Sequence, residues 1–131
     1  MIRIARLFVP FLIVLVLSCG GGTLAQRRLA SLTISPTSAT ASGGNVQFIV
    51  TGTFNTAPMT VTPLTVIWTA DRPAFSGPPT SNRATVDSNG LAHCSSGFTG
   101  VSQIVATAAV DPSQATSLQN EMVVSAQLTC P

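Results

Sequence analysis

Few side chains in this sequence could do chemistry. There are three cysteines, one histidine, four carboxylates and no tyrosine in 131 residues. Cysteine offers acylation, disulfide formation or metal ligation, but only the thiolate acts as nucleophile or ligand. His93-Cys94 with Cys130 makes a poor zinc set: no fourth ligand is evident, and adjacent ligands suit tetrahedral geometry badly. A Ser-His-Asp arrangement would have to use His93, yet no serine sits in a nucleophile-elbow context. Glycoside hydrolysis usually needs two positioned carboxylates. Asp71, Asp87, Asp111 and Glu121 are scattered along the chain. Asp87-Ser88-Asn89-Gly90 looks like the start of a calcium loop without the later acidic ligand. No catalytic residue, no metal site and no cofactor is expected. The chain reads as a non-enzyme.

Charge narrows the partners. Charged residues make up 8% of the chain, against roughly 25% in ordinary soluble domains. The formal net charge of +2 comes from Arg3 and Arg6. Beyond Cys19, Arg27, Arg28, Arg72 and Arg83 balance the four acids. Without clustered positive charge there is no footprint for nucleic acid.

Arg3 and Arg6 precede a continuous apolar run over residues 7–17, broken by Pro10. A basic start, a short apolar core and a small-residue exit describe an export signal, whereas a bilayer span takes roughly 20 apolar residues. Two exits are open. Val16-Leu17-Ser18-Cys19 resembles a bacterial lipobox, which implies lipid on the Cys19 sulfur and cleavage just before it. Leu17 departs from the small or β-branched residue common at its position. The rival cut follows Thr23-Leu24-Ala25, a small-x-small exit that would discard Cys19. Gly20-Gly21-Gly22 suits a flexible tether behind an acylated cysteine. Gly20, rather than aspartate, beside that cysteine implies an outer-membrane destination by the same resemblance. The expected division is a lipoprotein-type signal peptide over 1–18, a flexible tether over 19–28 and one domain over 29–131. The expected place is the cell envelope, with a secreted or periplasmic soluble form as the alternative.

The domain reads as short strands between turn-formers. Leu32-Thr33-Ile34-Ser35 alternates and stops at Pro36. Phe48, Val50 and Phe54 share one face of a long strand over 46–54. Leu64, Val66 and Trp68 alternate with Thr65, Ile67 and Thr69. Ala84-Thr85-Val86 enters a turn at Asp87-Ser88-Asn89-Gly90, where Asn-Gly supplies positive φ angles. Ile104, Ala106 and Ala108 mark one further inward face, and Met122, Val124, Ala126 and Leu128 the last. About seven strands in about 100 residues predict an all-β, immunoglobulin-like antiparallel β-sandwich. Trp68 and Phe48 are its expected core aromatics.

The order Leu32-Thr33-Ile34-Ser35-Pro36, Val46-Gln47-Phe48, Val66-Ile67-Trp68-Thr69, Ala84-Thr85-Val86-Asp87, Gly90-Leu91 and Gly100 before Ile104-Val105-Ala106-Thr107 resembles a bacterial Ig-like domain of group 2, the intimin/invasin-like kind. The resemblance implies adhesion, surface display or a spacer role, with a protein or surface polymer as partner. Alternatively, an exposed sheet edge would serve assembly by strand addition. One departure is the long Pro- and Gly-containing segment over 71–83. Asp71, Arg72, Phe75 and Arg83 make it the candidate binding loop, with Phe75 either exposed for contact or folded back over the core. Carbohydrate sites usually expose aromatic faces, and this chain holds one tryptophan.

With Cys19 assigned to lipid, Cys94 and Cys130 remain as an even pair in an oxidising compartment. Cys94 ends the fifth expected strand and Cys130 follows the seventh. Strands of alternating direction place those two ends at the same pole, so a disulfide is expected there. The chain-entropy estimate for closing such a loop is roughly 3–4 kcal/mol.

Overall fold

The computed structural model describes residues 25–72, 74–75 and 83–131. The expected signal peptide, the lipobox-like segment and Cys19 therefore lie outside the described residues. So do Pro73 and the whole stretch between Phe75 and Arg83.

Among the described residues there is no helix, and ten strands follow one another. They are β1 (Leu29–Ser35), β2 (Ser38–Thr40), β3 (Asn45–Gln47), β4 (Ile49–Phe54) and β5 (Thr60–Val61), then β6 (Ile67–Ala70), β7 (Ala84–Val86), β8 (Leu91–Cys94), β9 (Gly100–Ala108) and β10 (Met122–Cys130). They form three sheets, ordered β1-β4-β5, β2-β10-β9-β6 and β3-β8-β7. Every pairing is antiparallel except β2 with β10, where Ser38 lies opposite Gln127 in a parallel register.

The count exceeds the expected seven for physical reasons. Pro36 cannot donate to a ladder, so β1 ends before it as expected, and a further short strand, β2, starts at Ser38. β1 then pairs with β4, while β2 crosses to β10. The run over 46–54 is interrupted at Phe48, whose N–H turns aside to the Gly90 carbonyl at 2.9 Å. β3 therefore pairs with β8, and β4 leaves that strand for β5. The strand read over 64–69 shortens to Ile67–Ala70, since the Leu64 N–H bonds across to the Val50 carbonyl at 2.8 Å.

One apolar cluster fills the space between the layers. Phe48, Val50, Ala84 and Ala92 come from one side, and Ile104, Ala106, Ala126 and Leu128 from β9 and β10. Facing sheets sharing one core are consistent with a β-sandwich. Strand phase follows the burial: Val50, Gly52 and Phe54 alternate inward along β4. β9 departs from the expected alternation, because Val105 and Thr107 are as buried as Ile104 and Ala106.

A disulfide joins Cys94 to Cys130 across 36 positions, with Cα atoms 5.8 Å apart. Cys130 does not follow the last strand but is its final residue. The bridge thus ties the end of β8, in one sheet, to the end of β10, in another.

The chain enters at the opposite end of β10. Residues 26–28, assigned above to a flexible tether, are bonded to the domain. Arg28 N–H donates to Asn55 Oδ1 at 2.7 Å, and Asn55 Nδ2 donates back to the Gln26 carbonyl at 3.0 Å. Arg27 stacks 4.0 Å from the Phe54 ring centroid and donates to the Pro58 carbonyl at 2.8 Å. Such contacts hold the entry segment beside β4 rather than leaving it in solvent.

Candidate functional site

The break at Phe48 opens a groove. β3 follows β8 up to Gln47, and β4, paired with β1 along one edge from Ile49, meets β5 along its other edge only at Gly52–Thr53. Between those pairings lies a cavity of about 440 Å³. Buried Phe48 and Val50 back it, and exposed Ile49, the segment Pro63-Leu64-Thr65, Trp68 and the turn residues Ser88 and Asn89 complete its lining. None of these side chains is charged.

The turn at its rim is fixed by short-range bonds. Asp87 Oδ1 accepts from the backbone N–H of Asn89 at 2.8 Å and of Leu91 at 2.9 Å. The Gly90 N–H donates to the Asp87 carbonyl at 3.1 Å, and the Asp87 N–H to that of Leu91 at 3.0 Å. Gln47 Nε2 donates to the carbonyls of Asn89 at 2.7 Å and Phe48 at 2.9 Å. Of the two residues expected at positive φ, only Gly90 adopts it, at 83°. This is the pattern of a hairpin loop over Ser88-Asn89-Gly90 closed by a left-handed glycine, not of a two-residue turn. Glycine is required twice over. A Cβ at position 90 would sit 2.4 Å from the Phe48 carbonyl oxygen and 2.7 Å from the Trp68 indole.

Trp68 differs from its expected place. Phe48 is fully buried, whereas Trp68 is half-buried, packed against the core from its edge and lining the groove. β6 is an edge strand paired only to β9, so a large side chain near its start is not covered from both flanks.

The candidate binding loop is pinned at its first residue. Asp71 takes a left-handed conformation at φ 63°, a region that aspartate tolerates better than most residues. Its carboxylate accepts from Ser102 Oγ at 2.9 Å and the Gln103 N–H at 3.1 Å. Its own N–H donates to the Gln103 carbonyl at 2.7 Å. Arg72 is half-buried, and Phe75 is 39% exposed, outside the core. Arg83 lies over the Phe98 ring, 5.8 Å from its centroid. His93 is half-buried on β8 between Asn45 and Thr85. Among the described residues, no group of three or more His, Cys, Asp or Glu could hold a metal ion.

Asp111, counted above only among the scattered carboxylates, lies in the connection between β9 and β10. Its side chain is 1% exposed and organises the whole loop. Oδ1 accepts from Ser113 Oγ at 2.6 Å and Ser113 N–H at 3.0 Å. Oδ2 accepts from Gln114 Nε2 at 3.0 Å and from Gln26 Nε2. Asn120 closes the loop, its Oδ1 accepting from the Asp111 N–H at 2.7 Å and its Nδ2 donating to the Asp111 carbonyl at 3.1 Å. The Ser113 hydroxyl bond, aided by the Ser113 N–H and the Arg28 charge, holds the carboxyl below its ordinary range against the opposing effect of burial. The available signal was the spacing Asp111-x-Ser113, an aspartate placed to cap the backbone two residues on.

No protein-family model matches the chain, and no curated protein matches it. A family assignment therefore rests on the chain's own residues and strand order.

Proposed function

We propose that this chain is an exported, non-catalytic module of the cell envelope, with an immunoglobulin-like fold, held to a membrane by lipid on Cys19. Its task is binding or spacing at that surface. The observation that carries the reading is the Cys94–Cys130 bridge between two sheets, since structural disulfides persist in oxidising compartments and are rare in the cytosol. The immunoglobulin-like part is supported by strand order. Taking β3 and β4 as one interrupted strand, β1, β3/β4, β8 and β7 correspond to strands A, B, E and D. β6, β9 and β10 correspond to C, F and G, with β2 added beside G. The bridge then joins E to G, unlike the B-to-F bridge of antibody domains.

Each buried methylene of an acyl chain contributes about 0.8 kcal/mol to membrane attachment, so more than one chain holds firmly. Cys19→Ala should move the protein from the membrane pellet to the soluble fraction. Retention of the variant in the pellet would contradict the anchor.

A further inference from the structure

We infer that the groove at Trp68 is a binding site for an uncharged saccharide. The inference rests on reading the chain as a binding module and names the ligand class of that module.

Four observations carry it. The cavity, about 440 Å³, falls within the size range of small-ligand sites. Its lining combines an indole with the aliphatic Ile49 and Pro63, the mixture that accepts the C–H faces of a sugar ring. Thr65, Ser88 and Asn89 add two hydroxyls and an amide, and no hydrogen bond occupies these side chains among the described residues. The indole N–H of half-buried Trp68 has no acceptor among them either. That N–H is open to solvent, where an acceptor supplied by a ligand can reach it.

The site is also held ready. Gln47 and Asp87 fix the Ser88-Asn89 turn through backbone atoms, leaving both side chains to face a ligand. Gly90 seats the indole from beside it. A rim that need not reorganise loses less entropy on binding.

Other ligand classes fit less well. An anionic or cationic ligand would find no charged lining side chain. Strand addition needs a free backbone edge. At Val50 that edge is taken on one side by Ile34 and on the other by Leu64, whose N–H bonds the Val50 carbonyl. A proline-rich peptide docks between several exposed aromatics, and here Phe48 is 0% exposed, leaving Trp68 alone.

The chain's one tryptophan is the reporter. Full-length protein is titrated with neutral cello-, chito- and malto-oligosaccharides while Trp68 emission is recorded. The expected result is a saturable shift with at least one series. Asn89→Ala should weaken that binding about fivefold, the loss of one neutral hydrogen bond, with an unchanged unfolding midpoint. No saturable response to any series overturns the inference. So does a response from a proline-rich peptide alone, or an Asn89→Ala titration identical to the parent's. Cys19→Ala should bind sugar as the parent does, so a failed anchor and a failed sugar site are read separately. Shortened oligosaccharide after incubation would refute the non-catalytic reading and leave the site standing.

Discussion

Gly90 and Asp111 show how much single residues decide in a chain with so little charge. At Gly90, a methyl group would meet a carbonyl oxygen at 2.4 Å in a conformation at φ 83° that L-residues rarely take. Gly90→Ala should cost about 2–4 kcal/mol, combining a strained left-handed residue with overpacking. Denaturant unfolding checks it, and a shift below 1 kcal/mol would mean the turn rearranges freely. Asp111 sets an acid limit. Its folded-state pKa lies below the ordinary carboxylate value of about 3.9, chiefly through the Ser113 hydroxyl. The stabilisation it provides is therefore complete above about pH 4, the unfolded value, and is lost as pH falls through the lower folded value. Asp111→Asn should flatten the acid end of the stability profile, measured by thermal unfolding as pH is lowered from about 5. An unchanged acid profile would show that the Ser113 bonds contribute nothing to it.

Elements were legible where one face is apolar and the other polar. The inward phase of Val50 and Phe54, and of Ile104 and Ala106, could be read directly because a pleated strand alternates with period two. Strand ends and sheet membership were less legible. Nothing in Val46-Gln47-Phe48-Ile49 announces that Phe48 gives its N–H to Gly90, yet that bond divides β3 from β4 and opens the groove. Nor does periodicity distinguish a centrally covered tryptophan from one near the start of an edge strand. The burial of Val105 and Thr107 on both faces of β9 is likewise a tertiary outcome that alternation cannot express. The cysteines were readable because strand direction alternates, which brings the ends of β8 and β10 together. Cys94→Ser with Cys130→Ser should lower unfolding free energy by roughly 3–4 kcal/mol, the chain-entropy value for this loop. If the double variant unfolds at the parent's midpoint, the bridge does not stabilise the fold.

For the whole molecule, the two ends of the sandwich carry different duties. Residues 26–28 enter beside the Asn55 and Asp111 loops, and their bonds to Asn55, Pro58 and Asp111 orient that end toward the proposed anchor. The disulfide and Pro131 lie at the other end, with Asp71 and Arg83. Residues 25–131 hold four arginines and four acids, too balanced a charge to steer a charged partner from a distance, so the binding proposed above would fall to short-range contacts. Export, anchoring and the sulfur bridge together predict one chemical form, and intact-mass analysis of non-reduced protein from the membranes of expressing cells reads it directly. The expected species begins at Cys19, carries the mass of a diacylglycerol and has no titratable thiol. A chain beginning at Gln26, or one retaining free Cys94 and Cys130, would contradict the account.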